Sequence, residues 1–486
     1  MRRYAPLLLV ALCAVGAVVV SCVGASAWWW GAAAVLLALT AAGLWDLFQR
    51  RRPVPRGHPL VGRLMYRAHV AELHEDGEDG DEFLVPSMGP VEPAEAEPRV
   101  RVGGPDCALP YDMALLNVSA LSFGALSPNA VLALNRGAAL GRFAHDTGEG
   151  GLTDHHLRGG GDLIWEIGSG YFGCRTSEGD FDAREFADKA ALPEVRCVSL
   201  KLSQGALPGS GGILPGAKVN AEVARVRAVR EGETVVSPPC HRVFSTPREL
   251  VLFIGRLREL AGGKPTGFKL CVGSRREFLA VCKAMLAEGV TPDFVVVDGA
   301  EGGTGAPPEY TARLGLPLTE GLIGVHNALV GTGLRDRIRI GASGRVATGA
   351  DIVERLAQGA DYTNAGRAML RALGCVGAGR CHTGTCPAGI ATQDPLRTRA
   401  LHVGDKSRRV HRYQRDTVRG AVRIMAALGV TEPGLLGPGH LVRRTDATRV
   451  RSYAELYEWL EPGELRAGPP RSWAADWAAA DPDSFS

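Results

Sequence analysis

Short apolar runs alternate with longer amphipathic segments through the middle of the chain, from Met113 to about Gly429. The short runs predict buried β-strands, and the helical spacing of the apolar residues in Arg248–Leu260 predicts an α-helix. Alternating β and α units indicate a parallel sheet, and a stretch of about 280 residues suits eight such units closed into a barrel. The pattern therefore predicts an α/β fold, a (β/α)8 TIM barrel.

Several elements of this barrel have distinct boundaries in the sequence. The predicted strands are Met113–Val118, Val195–Leu202, Gly267–Val272, Phe294–Asp298, Ile338–Gly341 and Ala360–Asn364. Two further helices are predicted at Arg276–Ala287 and Asp351–Gln358, with Thr348 as the N-cap of the second. Beyond Gly429 the pattern weakens, and a polar, proline-containing tail is expected over Arg466–Ser486.

Two apolar runs open the chain, the first from Tyr4 to Val23 and the second from Ala27 to about Leu44. Each is long enough to cross a bilayer as a helix. Basic residues flank both outer ends, so the positive-inside rule predicts a transmembrane helical hairpin in the cell membrane, with the barrel domain in the cytoplasm. A cleaved signal peptide is the alternative, because small residues precede Ala27, but it leaves the second run unexplained.

These patterns divide the chain into four parts. We expect a two-helix transmembrane hairpin over residues 1–52, a linker and lead-in segment over 53–112, the barrel over 113–430, and a partly disordered C-terminal extension over 431–486. The net charge of +3 gives no indication of a nucleic-acid partner. The 11 cysteines follow no disulfide-framework pattern, which indicates a reducing compartment for the barrel.

Three cysteines, Cys375, Cys381 and Cys386, lie close together in a loop of small residues near the end of the barrel. Neighbouring thiolates repel one another unless a metal centre or a disulfide takes them up. Zinc needs a fourth ligand, for which His382 is the nearby candidate, whereas iron–sulfur clusters are held by cysteine thiolates. The alternative is three inert buried cysteines, but short cysteine runs inside cells are more often metal-binding or catalytic.

Two glycine-containing turns, Ile340–Arg345 and Asn364–Met369, end consecutive predicted strands. In TIM barrels the loops after the last two strands commonly bind a phosphate group. Glycine lets the backbone approach a phosphate closely, and Arg367 adds a candidate charge-assisted hydrogen bond. Ordinary tight turns between strand and helix remain the alternative.

Polar residues also follow other predicted strands of the barrel. Lys201 ends one strand and is expected to point into the barrel mouth, where an ammonium stabilises negative charge on a reduced flavin ring. A lysine whose charged end reaches the surface is the alternative. Two glycine-rich loops also carry acidic residues. They are Asp146–Gly151, which contains Glu149, and Asp298–Pro307.

Taken together, these stretches resemble the FMN-binding synthase domain of glutamate synthase. The matching motifs, in the family's order, are Ser122–Ser127, Thr147–Gly151, Ser203–Ala206, Ser237–Pro239, Gly302–Gly305 and the cysteine loop as far as Gln393. The resemblance covers about Leu115 to Leu428 and is closer to the stand-alone, single-domain branch, whose members often begin with a membrane segment.

The resemblance implies two cofactors, FMN and a [3Fe-4S] cluster. Electrons pass from a donor, such as ferredoxin or a membrane donor, through the cluster to FMN. Reduced FMN then delivers hydride to 2-iminoglutarate, which forms from 2-oxoglutarate and ammonia, and L-glutamate results. A different FMN-dependent TIM-barrel oxidoreductase of the 2-hydroxy-acid oxidase type is the alternative, as is a membrane-tethered electron-transfer protein without amination activity.

The family's functional residues carry over to this sequence position by position. Cys375, Cys381 and Cys386 are implied as cluster ligands. The implied catalytic residues are Glu149, Lys201 and Gln204. The implied FMN-binding residues are Ser119, Ser122, Lys201, Gln204, Gly302, Gly303, Thr304, Ser343, Gly344, Gly366 and Arg367.

The sequence departs from the family pattern at two positions shortly after Ala206. Leu207 stands where the family has a lysine that helps to hold the oxo acid, and Ser210 stands where it has an acidic residue. A leucine cannot pair with a carboxylate, so the identity of the oxo or imino acid is open. The family's glutamine-hydrolysing domain is also not evident, so we expect free ammonia or a separate glutaminase to supply nitrogen.

Overall fold

The computed structural model describes residues 4–24, 26–57, 59, 82–205, 211–302 and 314–485. It begins with two helices, α1 (Ala5–Cys22) and α2 (Ala27–Phe48), which pack against each other and are long and apolar enough to cross a membrane. Large apolar side chains on both are exposed, including Leu12 at 70% and Trp28 at 84%. A short helix, α3 (Pro53–Gly57), follows and buries Val54 in the core of the next domain.

Three strands lead into the barrel: β1 (Glu82–Leu84), β2 (Arg99–Val102) and β3 (Tyr111–Ala114). β2 and β3 form an antiparallel pair at the base of the barrel. The predicted strand at Met113–Val118 is divided in the structure, because Ala114 still pairs with β2 whereas Leu116 enters the barrel.

Eight parallel strands close into a barrel, which confirms the predicted (β/α)8 fold. In order around the ring they are β4 (Leu116–Val118), β5 (His145–Asp146), β6 (Leu163–Ile167), β7 (Val195–Lys201), β10 (Thr266–Leu270), β11 (Phe294–Asp298), β12 (Arg339–Ser343) and β13 (Tyr362–Ala365). A small antiparallel hairpin, β8 (Ile213–Leu214) and β9 (Val235–Val236), is inserted after β7. β11 is buried along its whole length, as expected for a parallel strand that is covered on both faces.

Helices surround the barrel and fill the connections between its strands. They are α4 (Pro128–Gly141), α5 (Asp154–Leu157), α6 (Ala183–Ala190), α7 (Ala221–Arg227), α8 (Pro247–Leu260), α9 (Arg275–Glu288), α10 (Leu318–Thr332), α11 (Gly349–Ala357), α12 (Arg367–Leu373), α13 (Pro395–Thr398) and α14 (Val403–Ala427). The three predicted helices match α8, α9 and α11 to within two residues at each end. Thr348 is the N-cap of α11, as predicted, and its hydroxyl accepts the amide of Asp351 at 3.2 Å.

The C-terminal residues pack against the barrel, whereas the sequence predicted a partly disordered extension. β14 (Leu441–Arg444) pairs with β1 and with β15 (Val450–Ser452), and two short helices follow, α15 (Tyr453–Leu456) and α16 (Glu464–Ala467). The last helix, α17 (Arg471–Ala479), buries Trp473 and holds Asp476 in an ion pair with Arg275 of α9. The order comes from these tertiary contacts, which a polar sequence pattern does not reveal.

A buried ion pair joins α8 to the base of the barrel. Arg258 Nε lies 3.0 Å from Asp293 Oδ2, and the two side chains are only 7% and 1% exposed. The Asp293 carboxylate also accepts the amides of Gly104 at 2.6 Å and Thr266 at 2.8 Å. One carboxylate therefore connects the lead-in segment, α8 and the start of β10.

We expect the substitution Arg258→Met to lower the free energy of unfolding by about 3 to 5 kcal/mol, because it leaves a buried carboxylate without its cation. Denaturant unfolding of the purified protein measures this loss. Arg256→Met, on the exposed face of the same helix, is the control and should change stability by less than about 0.5 kcal/mol. Equal stability of the Arg258 variant and the wild type would show that the two amides alone hold Asp293.

Candidate functional site

A buried ion pair lies at the carboxyl end of the barrel strands. Lys201 ends β7, is 8% exposed, and places its Nζ 3.0 Å from Oε1 of Glu149, which follows β5. His241 connects the Lys201 backbone to Tyr171. Its Nε2 lies 2.9 Å from the Lys201 carbonyl oxygen, and its Nδ1 lies 3.2 Å from the Tyr171 hydroxyl. The structure thus brings together two of the predicted catalytic residues.

Opposing effects act on the Glu149 carboxyl. Burial alone pushes the pKa of Glu149 up, but the nearby Lys201 ammonium and its hydrogen bond, with help from Arg227, bring that pKa below its usual value. Arg227 is itself buried, and its Nη2 donates to the Phe123 carbonyl at 3.0 Å. Burial lowers the pKa of Arg227 to about 10, which still leaves it charged. Glu149 is therefore an ionised carboxylate between two buried cations.

A second buried charge network lies inside the barrel. Lys269 on β10 forms an ion pair with Glu166 on β6, and both side chains are buried. Burial, together with the neighbouring Glu166 carboxylate, raises the pKa of Asp146 to about 8. Asp146 also accepts the amide of Gly148 at 2.9 Å, which fixes the start of the loop that carries Glu149.

The ends of β4, β12 and β13 form a polar cradle that suits a phosphate group. Ser119 and Ser343 bring their hydroxyl oxygens within 3.2 Å of each other. Gly344 has a φ of +151°, a conformation that L side chains rarely adopt, and a Cβ on Gly366 would stand 3.8 Å from the Ser119 Cβ. The buried side-chain oxygen of Asn364 has no hydrogen-bond partner in the described part of the chain. A bound phosphate would accept hydrogen bonds from the two hydroxyl groups.

The other predicted FMN-binding residues that the structure describes follow several different strands of the barrel. The Arg367 guanidinium donates to the Glu301 carbonyl oxygen and so connects the loops after β13 and β11. Gln204 is half-buried beside Gly205, whose amide donates to Asp298 Oδ2 at 2.9 Å. The Gly302 amide donates to the Gly299 carbonyl at 2.7 Å, which forms a turn. Ser122 contacts Gly148 in the loop of Glu149. Gly303, Thr304, Leu207 and Ser210 lie outside the described residues.

The three clustered cysteines lie in the loop between α12 and α13. Cys386 is buried, Cys375 and Cys381 are half-buried, and all three are free thiols. Burial raises the pKa of both Cys375 and Cys381, and charge on the neighbouring Cys386 raises both further. His382 is exposed. Over residues 4–24, 26–57, 59, 82–205, 211–302 and 314–485, no group of three or more histidine, cysteine or acidic side chains has the geometry of a metal site.

Hydrogen bonds attach the cysteine loop to the barrel mouth. The Ser127 hydroxyl donates to the Gly389 carbonyl at 2.7 Å, and the Gln393 side-chain amide donates to the carbonyls of Gly124 at 3.0 Å and Leu126 at 2.7 Å. The segment Ser122–Ser127 also contacts the Glu149 loop, where a Cβ on Gly150 would stand 2.7 Å from the Phe123 oxygen. One short segment therefore contacts both the cysteine loop and the Glu149 loop.

Two buried cations near these loops were not predicted from the sequence. Lys218 ends a 3-10 turn after β8, and its Nζ donates to the carbonyls of Cys381 at 2.5 Å and Ala125 at 3.1 Å. Arg227 ends α7 beside Glu149. A single lysine or arginine among small and apolar neighbours is ordinary in a sequence, and only the folded arrangement distinguishes these two. The sole hint was that Lys218 follows the glycine-rich run after Lys201.

The sequence and the fold of the chain both match known proteins. The family described as "Conserved region in glutamate synthase" matches residues 110–431, more than half of the chain. The glutamate synthase large subunit-like protein YerD of Bacillus subtilis (strain 168) is 41% identical over 348 residues, covering 71% of this chain and 66% of that protein. An archaeal glutamate synthase (NADPH) of Methanocaldococcus jannaschii is 33% identical over 315 residues, covering 64% of this chain and 58% of that protein.

The chain thus spans less than two thirds of the length of either relative. Among solved structures, mandelate oxidase with (S)-4-hydroxymandelic acid matches with a TM-score of 0.47 and 14% identity, over 78% of this chain and 90% of that one.

Proposed function

This chain belongs to the glutamate synthase family, and on that premise we propose that it is an FMN- and iron–sulfur-dependent oxidoreductase that reductively aminates 2-oxoglutarate to L-glutamate. One observation carries the proposal: the segment Ser122–Ser127 contacts both the cysteine loop and the loop of Glu149. A cluster at the first and a flavin at the second would be neighbours. Such an arrangement suits electron transfer from one cofactor to the other.

The cradle residues fit the phosphate of FMN. Ser119, Ser343, Gly344, Gly366 and Arg367 would hold it. Bound there, FMN would supply hydride chemistry, and a [3Fe-4S] cluster on the three cysteines would supply single electrons. Lys201, at the carboxyl end of β7, would stabilise negative charge on the flavin ring.

Glu149 and Arg227 would act on the substrate side. The ionised Glu149 would orient a protonated imino nitrogen and exchange a proton with it. Arg227 is a buried cation whose Nε has no hydrogen-bond partner in the described part of the chain, which favours a carboxylate-bearing substrate. Gln204 would lie beside the same substrate. Ammonia would come from solution or from a separate glutaminase.

Cofactor content and product formation test this proposal directly. Protein purified from iron-replete cells should be yellow-brown, contain iron and acid-labile sulfide, and release FMN on denaturation. With a chemical reductant, 2-oxoglutarate and ammonium, it should form L-glutamate. A colourless, iron-free preparation would refute both cofactor assignments.

The helical hairpin supports a location in the cell membrane with the barrel in the cytoplasm. The Lys406 ammonium donates to the Arg51 carbonyl, and Pro53 lies against Gly374, where an added Cβ would be 3.0 Å from the proline Cγ. Gly374 directly precedes Cys375. The cysteine loop therefore begins one residue after a glycine that contacts Pro53, which lies shortly after the helical hairpin. This position favours an electron donor at the membrane over a freely diffusing carrier such as ferredoxin.

We expect the intact chain to stay in the membrane fraction after an alkaline carbonate wash, because two apolar helices hold it there. Mass spectrometry of the purified protein should find the residues of α1 still attached. A soluble protein that begins near Ala27 would instead show that the first run is a cleaved signal peptide.

A further inference from the structure

Lys218 is a buried ammonium without a carboxylate partner. The residue is 2% exposed, and no acidic side chain of the described residues forms an ion pair with its Nζ. Its hydrogen bonds go to two backbone carbonyls, those of Cys381 and Ala125. Burying a charge is costly unless an opposite charge or strong hydrogen bonds compensate. Two neutral carbonyls compensate only in part, so the position of this lysine calls for an anion close by.

The groups around Lys218 show where that anion would be. The lysine side chain lies along the cysteine loop, since a Cβ on Gly384 would stand 3.6 Å from the Lys218 Cγ. The charged and titratable groups that act on it are the thiols of Cys381 and Cys386, and the Arg227 guanidinium. The Arg227 charge disfavours a second cation, whereas thiolates favour one. With its cysteines bound as thiolates, the loop would supply the negative charge that this lysine lacks.

We propose that Lys218 is a positioning residue for the cysteine loop, and that its positive charge offsets the negative charge of a cluster held there and raises the reduction potential of that cluster. The inference rests on the proposed cluster at Cys375, Cys381 and Cys386. Net charge and hydrogen bonding are among the factors that set iron–sulfur potentials. A fixed positive charge beside the cluster favours the reduced form, which carries one more negative charge.

A purely structural role predicts different behaviour. If Lys218 served only to bridge the carbonyls of Cys381 and Ala125, its replacement would loosen the loop, but a folded variant would keep the same potential. Lys264 provides a matched control, because its Nζ also donates to two backbone carbonyls, those of Ala190 at 2.5 Å and Leu192 at 2.9 Å, away from the cysteine loop.

The test compares Lys218→Met, Lys218→Arg and Lys264→Met in the full-length holoprotein. Potentiometric titration followed by electron paramagnetic resonance gives the midpoint potential of the cluster, and iron, sulfide and FMN are counted per chain. We expect Lys218→Met to shift the midpoint to lower potential or to weaken iron binding by about 10- to 100-fold, the usual effect of removing a residue that supports metal ligands. Lys218→Arg should have the wild-type midpoint potential and iron content, and the FMN content should be the same in all the variants.

Each outcome decides the matter. A lower midpoint that arginine restores supports the charge role, and a loss of iron that arginine restores supports the positioning of the cysteine loop. An unchanged midpoint with full iron content in Lys218→Met overturns it, and so does a loss of iron in both the methionine and the arginine variants. The same shift in Lys264→Met would also overturn it. Wild-type protein without iron would remove the proposed cluster itself, and that failure is visible before any variant is made.

Discussion

Cys381→Ser should leave a protein that binds FMN but has lost its cluster and its ability to make glutamate with the physiological electron donor. Serine lacks the thiolate that iron requires, and only two cysteines remain in the loop. Loss of a residue that only supports a metal ligand typically lowers activity by about 10- to 100-fold. Loss of a ligand itself should cost more, so we expect turnover to fall by about 100-fold or more. Iron and sulfide content, FMN content and glutamate formation are the three measurements.

A matched cysteine variant separates loss of the cluster from general damage. Cys107 is also a half-buried free thiol, and its Sγ donates to the Gly263 carbonyl at 3.4 Å, at the base of the barrel. Serine can make the same hydrogen bond, so Cys107→Ser should keep iron, FMN and turnover. Full activity in an iron-free Cys381→Ser protein would point instead to a cluster-independent flavin enzyme of the 2-hydroxy-acid oxidase type.

Glu149→Gln should have the second largest effect, with kcat falling by about 100- to 10,000-fold, the range for losing a group that takes part in proton transfer. The amide keeps the size of the side chain but cannot carry the charge that faces Lys201 at 3.0 Å. Steady-state kinetics with 2-oxoglutarate and ammonium measure the loss. Glu185→Gln, which removes a similar lysine-paired carboxylate from the outer surface, is the control and should leave kcat unchanged.

The pH profile gives an independent check on Glu149. Its folded-state pKa lies below its usual value, so the ion pair contributes stability above the unfolded-state pKa of about 4.3 and loses it as the pH falls through the lower folded-state pKa. The acidic limb of kcat/KM due to Glu149 should therefore have its midpoint below about pH 4.3. A midpoint near neutral pH in wild-type protein, absent from Glu149→Gln, would show that the ion pair does not form.

The barrel was predictable because parallel strands that are buried on both faces leave continuous apolar runs. Phe294–Asp298 was predicted to the residue, since a strand of this kind has an unbroken pattern between polar loops. His145–Asp146 was missed because two residues, both polar, leave no pattern to detect. The packing of Trp473 and its helix was missed because the contacts that order this segment come from α9, far away in the sequence.

The candidate site was predictable as separate pieces and not as an assembly. Lys201 and Glu149 each follow a strand, which places both at the barrel mouth, but their 3.0 Å separation depends on how the ring closes. Lys218 and Arg227 gave little or no signal, because a cation becomes informative only when folding buries it beside other functional residues. The cysteine spacing left zinc and iron open, and the contacts through Ser127 and Gln393 are what join the loop to the barrel mouth.

A single-turnover experiment tests the central claim most directly. The full-length holoprotein is reduced without oxygen, mixed with 2-oxoglutarate and ammonium, and followed by the absorbance of the flavin. The flavin should be reoxidised and about one L-glutamate should form per flavin, whereas the flavin should stay reduced when either substrate is omitted. A flavin that stays reduced with both substrates present, in protein that contains FMN and iron, would contradict the claim.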